Sequence, residues 1–283
     1  MAKESVRAGV IGHPIGHSRS PMIHNNWLGE YGIAGSYDAY DISPADLSDF
    51  FSAMRKGRMA GCNVTIPHKE AVLEHLDCLT GTAEVIGAVN TVWREGDRLI
   101  GDNTDAYGFC ANLNAEAPNW DRNGGRALVL GAGGAALAIV HALIERGFGQ
   151  IDIANRTAER ANRLAQHFGE RCRAVAFTDE PSLYDGADFV ANTTTLTMGE
   201  GADGRRWPGL DRLTEGATVT DIVYTPLQTS LLAAAKRHGY RTVDGLGMLL
   251  YQAVPGFERW FGVRPEVTGS LRAKLIADLE AHA

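Results

Sequence analysis

The apolar positions of this chain switch repeatedly between two periods. VRAGVIG from Val6, SYDAYDI and GCNVTI are short apolar runs of strand length, and each precedes a stretch whose apolar residues recur every three or four positions. The first such stretch is predicted to start with Ser20 as N-cap and Pro21 at the first helical position, to put Ile23, Trp27 and Tyr31 on one face, and to stop at Gly32. The second, PADLSDFFSAMRKG, spaces Leu47, Phe50, Phe51 and Met54 as a helix would. The third is predicted to carry Lys69 on its first turn, within NVTIPHKEAV. Three strand-helix repeats in succession predict a mostly parallel sheet.

NTVWREGDRLIGDNT alternates on either side of Glu95, Gly96 and Asp97, which predicts a hairpin, and a helix is expected from about Asp105. PNWDRNGG, rich in turn formers, then separates this half from a second series of strands and helices. That series runs RALVL, ALAIVHALIERG, IDIAN, a helix from Thr157 to Phe168, RAVAF, DFVAN, TVTDI, TSLLAAAKRHG and YRTVD. Beyond Asp244 the spacing is helical again, through GMLLYQAVPGFERWF and VTGSLRAKLIADLEAHA. The pattern is that of an α/β protein with a domain boundary between residues 103 and 125.

Charge narrows the partners. The formal net charge is -7 and no basic stripe interrupts it, so neither nucleic acid nor an anionic membrane has electrostatic support and small ligands are expected. Cys62, Cys78, Cys110 and Cys172 never form C-x-x-C and lie in or beside apolar runs, which predicts buried free thiols in a reducing cytoplasm. Nothing reads as an export signal or a membrane span. His13, His17 and His68 lack a carboxylate or thiol at zinc-like spacing, so no metal is expected and they read as loop and cap residues.

GAGGAA, Gly131 to Ala136, follows the strand ALVL and opens a helix, which is the setting a dinucleotide-binding loop requires. Gly131 permits the tight turn, Gly133 lets the backbone approach a pyrophosphate at the positive helix end, and Ala136 keeps helix and strand close. The alternative is a tight connection with no ligand. The next strand ends in Asn155, Arg156 and Thr157, with Arg160 one turn on, where an NAD site would place a carboxylate. A guanidinium beside a hydroxyl suits the 2'-phosphate of NADP, unless Arg156 is only a solvated first-turn residue. Asp152 is acidic but falls earlier, within the strand.

The first half supplies polar groups at strand ends. Ser18 and Ser20, two apart in HSRSP, can face one anionic group such as a carboxylate, although capping a helix explains Ser20 fully. Asn90 and Thr91 in GAVNT, and Asn103, Thr104 and Asp105 in GDNTD, suit a hydroxylated ring or serve as turns and caps. Lys69 is either solvated or a proton donor.

The ordered set GHPIGHSRSP, NVTIPHKE, GAVNT, GDNTDAYG, GAGGAA, NRTAER, DIVYTPLQTSLL and GMLLYQA resembles the shikimate dehydrogenase family across nearly the whole chain. The resemblance implies NADP-linked interconversion of shikimate and 3-dehydroshikimate, in aromatic amino acid biosynthesis, by a cytoplasmic monomer or homodimer. It implies a substrate-binding domain from residues 1–104 and 244–283, and a Rossmann domain over 105–243 inserted between them. Lys69 and Asp105 resemble the catalytic pair. Ser18 and Ser20 resemble the carboxylate binders, Thr65, Asn90 and Gln252 the groups around the ring hydroxyls, and Tyr224 the tyrosine that meets substrate from the cofactor domain. Around the cofactor the resemblance puts Gly131, Ala132, Gly133, Gly134, Ala135, Asn155, Arg156, Thr157, Arg160, Thr193, Ile222, Gly245 and Met248. The chain departs from the family at Thr197, where a glycine is usual before the retained Met198, and the loop there is expected to differ. A quinate or aminoshikimate dehydrogenase, or a non-catalytic relative, is the alternative.

Overall fold

The computed structural model describes residues 5–199 and 205–282. Two compact units emerge: Asp105 and the described residues before it join Leu250–His282, while Ala106–Leu249 forms the other.

In the first unit β1 (Val6–Gly12) leads to α1 (Ser20–Glu30), β2 (Gly35–Asp41) to α2 (Leu47–Arg55), and β3 (Gly61–Val64) to a short 3₁₀ turn, Ala71–His75. There follow β4 (Cys78–Leu79), α3 (Gly81–Ile86) and the hairpin of β5 (Thr91–Glu95) and β6 (Arg98–Asp102). The strands lie in the order β2-β1-β3-β5-β6-β4. β1 runs parallel to both β2 and β3, with Ile11 opposite Val64, whereas β5 is antiparallel to β3 and to β6, with Thr91 opposite both Asn63 and Asp102. That register has a consequence for chemistry. The C-terminal ends of β1, β3 and β6 and the start of β5 all fall at one end of the sheet.

α4 (Asp105–Glu116) then leads into the second unit, built from β7 (Arg126–Leu130), α5 (Gly134–Glu145), β8 (Gln150–Asn155), α6 (Ala158–Phe168), β9 (Cys172–Ala176), β10 (Phe189–Asn192), β11 (Thr218–Asp221), α7 (Ser230–Arg237) and β12 (Arg241–Val243). All pairings are parallel, in the order β12-β11-β10-β7-β8-β9. The chain winds outward from β7 in one direction and from β10 in the other, so the switch point of this doubly wound sheet lies between β7 and β10. α8 (Leu246–Phe261) and α9 (Gly269–Ala281) close the chain.

Aromatic packing ties the chain ends together within the first unit. The buried rings of Trp27 and Tyr37 meet Phe257 and Trp260 of α8, the Trp27 indole donates to the Glu266 carbonyl at 3.0 Å, and that of Trp260 to Val92 at 3.0 Å. Ile23 and Trp27 of α1 are buried as their spacing predicts, but Tyr31 lies past the helix end and is exposed.

Several expectations need correction. Ser20 does not cap α1: Arg19 holds the N-cap position, Ser18 Oγ accepts the Ser20 amide at 3.3 Å, and the Ser20 side chain turns into the core. Lys69 is not on a helical turn but in the turn before Ala71–His75, and that segment is a 3₁₀ helix of five residues, not an α-helix. His68 is buried, its ring bonded to the Ile42 carbonyl at 2.7 Å, and is no loose loop residue. Cys78 is exposed, since β4 is a two-residue strand at the sheet edge, and Cys110 is only half-buried. α3 has no counterpart in the sequence reading. It is six residues long, too short to show a period, and is set by Thr80, whose hydroxyl accepts the Ala83 amide at 3.3 Å, and by Gly87 at φ 71°.

Gly61 permits the bond between Trp260 and β5, because a Cβ there would overlap both the Trp260 ring and the Val92 carbonyl. Gly61→Ala is therefore expected to lower stability by about 3 kcal/mol in urea unfolding, and a loss under about 1 kcal/mol would show that Trp260 yields freely.

Candidate active site

The strand ends deliver the polar residues of the first unit to one place. From β3 the chain passes Thr65 and the cis Ile66–Pro67 peptide and reaches Lys69, whose carbonyl accepts the Val89 amide at 2.8 Å. This bond fastens the lysine turn to the segment that carries Asn90. Asn90 in turn receives Val64 N–H on its carbonyl at 2.8 Å and donates its own amide to Asp102 at 3.0 Å. From β6 the chain continues through Asn103 and Thr104 to Asp105, the first residue of α4, whose amide is met by Asn103 Oδ1 at 3.1 Å.

Lys69 Nζ forms an ion pair with Asp105 Oδ2. The lysine side chain is 20% exposed and the aspartate 9%, so the pair is largely removed from water and the carboxylate more so than the lysine. The other carboxylate oxygen accepts Asn90 Nδ2 at 2.8 Å, and the same nitrogen reaches Gln252 Oε1 at 3.4 Å. The direction of the Asn90 amide follows from its partners. Asn90 Oδ1 sits 2.8 Å from the Thr104 backbone N–H, which can only donate, so the oxygen must be at that end and the NH₂ must face Asp105. Thr104 Oγ1 meanwhile bonds the Gln252 carbonyl at 2.8 Å and so ties α8 to the same cluster.

Lys69, Asn90, Asp105 and Gln252 are thus joined directly. Ser18 and Thr65 stand on loops leaving the adjacent ends of β1 and β3, Ser18 half-buried and Thr65 held by its amide to Ile11 at 2.9 Å. Ser20 is buried with its hydroxyl near Tyr37. Tyr224 belongs to the second unit, on the loop after β11, and is half-buried. Sequence reasoning singled out neither Asn63 nor Tyr37, although Asn63 is a polar residue within an apolar strand. Among the described residues no group of three or more His, Cys, Asp or Glu is placed to hold a metal.

In the second unit Gly131 has φ 112°, and a Cβ there would overlap Thr193 Oγ1, which itself donates to Leu130 at 2.9 Å. Gly133 precedes α5, is exposed, and a Cβ on it would meet nothing within 4 Å. Ala132, Gly134 and Ala135 are half-buried around it, and Ala136 is fully buried beneath. An open helix N-terminus with no side-chain wall fits a pyrophosphate. Gly131 N–H bonds the Ala154 carbonyl at 2.8 Å, so this loop adjoins the end of β8, where Asn155 Nδ2 donates to the Thr157 carbonyl at 2.9 Å and Arg156 and Arg160 are exposed. The residues present fit NADP. Gly245 packs against the Ile222 carbonyl so closely that a Cβ would overlap it, and Met248 is buried at the start of α8.

Thr197 is fully buried and is part of a polar cluster. Asn192 Nδ2 bonds Thr197 Oγ1 at 3.2 Å and Asp221 Oδ1 at 2.9 Å, and Asp221 also accepts Val223 N–H at 3.0 Å and Thr229 Oγ1 at 2.8 Å. Burial raises the Asp221 pKa above its ordinary value, against the opposing pull of those donors. Met198 beside it is half exposed.

Comparison with known proteins identifies relatives along most of the chain. Residues 10–92 match a family described as shikimate dehydrogenase substrate binding domain, 114–198 one described as shikimate / quinate 5-dehydrogenase, and 245–269 a shikimate 5'-dehydrogenase C-terminal domain. A shikimate dehydrogenase (NADP(+)) of Brucella abortus (strain S19) is 52% identical over 96% of this chain and 94% of its own length. One from Chelativorans sp. (strain BNC1) is 52% identical over 99% of each. The crystal structure of shikimate 5-dehydrogenase from Thermus thermophilus in complex with shikimate superposes with a TM-score of 0.84 at 37% identity, covering 97% of this chain and 99% of that one. The chain belongs to the shikimate dehydrogenase family.

Proposed function

We propose that this chain is an NADP-dependent shikimate dehydrogenase that interconverts 3-dehydroshikimate and shikimate. The observation that carries the reading is the Lys69–Asp105 ion pair braced by Asn90, in the unit whose sequence matches the family's substrate binding domain. The first unit is the substrate domain and the second the cofactor domain. The four cysteines are free, which suits a reducing compartment, and the proposal places the enzyme in the cytoplasm. No described helix is long and apolar enough to cross a membrane.

Ser18 and Ser20 hold the substrate carboxylate, while Thr65, Asn90 and Gln252 align the ring hydroxyls; Tyr224 completes substrate binding. Gly131 to Ala135, Thr193, Ile222, Gly245 and Met248 hold the cofactor, and Asn155, Arg156, Thr157 and Arg160 hold its 2'-phosphate. When bound, reduced NADP supplies a hydride. Reduction of a ketone leaves charge on its oxygen, and Lys69, as an ammonium, stabilises that charge and gives up a proton to it. Asp105 keeps the ammonium aimed. Asn90 donates to the other oxygen of Asp105 and so fixes how the carboxylate faces Lys69. In the oxidative direction a neutral Lys69 accepts the hydroxyl proton.

Initial rates of nicotinamide absorbance change with shikimate, quinate and aminoshikimate, each with NADP and NAD, test the reading. Fastest turnover with shikimate and NADP is expected, and no turnover with any pair overturns it. Lys69→Ala is expected to cut kcat by about 10²–10⁴ with shikimate binding changed less than about threefold. A kcat near the parent's would remove Lys69 from the chemistry. Arg156→Ala is expected to raise KM for NADP by about 10-fold or more and leave that for NAD nearly unchanged. Equal losses for both cofactors would show that Arg156 does not read the phosphate.

A further inference from the structure

A buried run of polar side chains leads away from Asn90 through the first unit. Asn63, in β3, places Nδ2 3.1 Å from the Asn90 carbonyl and 3.1 Å from Thr91 Oγ1. A carbonyl only accepts, so the amide nitrogen of Asn63 must lie there and its oxygen must point the other way. That oxygen is 2.5 Å from the Tyr37 hydroxyl, which is therefore the donor. Thr91 Oγ1, having accepted from Asn63, sends its own hydrogen to Asn90 Oδ1 at 2.9 Å. Asn90 Oδ1 then faces three donors, the Thr91 hydroxyl, the Thr104 amide and the Thr104 hydroxyl at 3.1 Å, and the NH₂ is committed to Asp105. At the far end the Ser20 hydroxyl lies beside the Tyr37 oxygen. The Tyr37 ring is clamped by His24, stacked at 3.9 Å between centroids and 8° between planes. Tyr37, Asn63, Thr91, Asn90 and Ser20 are all buried, with no solvent to substitute for a missing partner.

We propose that Tyr37, Asn63 and Thr91 are positioning residues, a one-way chain of hydrogen bonds that runs from Tyr37, beside Ser20, to Asn90 and helps hold the Asn90 amide in the orientation that supports Asp105 and Lys69. The proposal rests on the function argued above. The Asn90 carbonyl sets the direction of the Asn63 amide and the Thr104 N–H that of Asn90, and the hydroxyls of Tyr37 and Thr91 fill the remaining positions and hold both amides there. In a dry interior such chains reinforce one another, and one unpaired member costs more than its own bond. The chain thereby joins the end of the site assigned to the substrate carboxylate with the end that moves the proton.

The test removes single hydroxyls without changing shape, in Tyr37→Phe and Thr91→Val, and restores one in Thr91→Ser. Both deletions are expected to lower kcat with shikimate by about tenfold while KM for NADP stays within about twofold, and Thr91→Ser to return kcat to within about threefold of the parent. A structural role alone would lower the melting temperature and leave the kinetic constants in place. The proposal is overturned if both deletions keep the parent kcat, or if Thr91→Ser loses as much as Thr91→Val. Two differently placed deletions keep the test valid if one of them does not fold. A parent enzyme inactive on shikimate would defeat the functional reading and this proposal with it, whereas an active parent with active deletion variants defeats this proposal alone.

Discussion

The first unit depends on one constraint: an amide buried between a backbone N–H and a carboxylate has a single orientation. Asn90 meets the Thr104 N–H on one side and Asp105 on the other, and neither partner can reverse its role while Asp105 is ionised. The carboxylate therefore receives a neutral donor on Oδ1 and the Lys69 ammonium on Oδ2. A buried ion pair is weak evidence for stability, since removing two charges from water costs several kcal/mol per ion. Its place beside a partly exposed lysine, with the second oxygen satisfied, suits the proton transfer proposed above better than a structural core. The sheet register makes the arrangement possible, because antiparallel β5 between β3 and β6 returns Asn90 and Asp105 to the strand end from which Lys69 departs.

The second unit applies the same rule to a different end. Asp221, at the tip of β11, gathers donors from Asn192 at the tip of β10, from Val223 on the loop that carries Tyr224, and from Thr229 at the cap of α7. Thr197 enters this cluster through Asn192 Nδ2, which has one N–H for Asp221 and a second to share between Thr197 and the Thr194 carbonyl at 3.2 Å. Where the resemblance puts a glycine, this chain has a buried hydroxyl bonded to the side chain that ends β10. The departure is accommodated inside the sheet's polar edge and leaves Met198 outward.

Much of this was legible in residue spacing. Strands and long helices declared themselves by period, and the polar clusters GAVNT and GDNTD marked the strand ends that converge. What escaped did so for physical reasons. A tight turn and a helix share the same first few residues, so the string around Lys69 reads as helical although the segment forms only a 3₁₀ helix at Ala71–His75. Ser20 is the plausible cap in a string, and only the helix's actual start, with Arg19 at the N-cap, shows that its side chain is free to turn inward. Tyr37 reads as one more core aromatic, and its hydroxyl gains meaning only when β2 and β3 lie on either side of β1 and bring Asn63 within 2.5 Å. Cys78 sits among apolar residues in sequence but on an edge strand in space.

The cofactor end shows how a buried charge can exclude one reading by being occupied. Asp152 is the acidic residue nearest the place where an NAD site would hold the ribose, but it is wholly buried in β8. Arg126 Nε donates to it at 2.7 Å, Gln150 Nε2 at 3.0 Å, and Arg173 bonds both of its oxygens. Burial alone would raise the Asp152 pKa, and the guanidiniums of Arg173 and Arg126 more than offset that and hold it below the ordinary value. A carboxylate with both oxygens so engaged has no lone pair directed at a ribose hydroxyl. In the proposed function recognition beyond β8 falls to Asn155, Thr157 and the exposed Arg156 and Arg160, groups that can meet an added phosphate with hydrogen-bond donors and that offer no carboxylate to repel it.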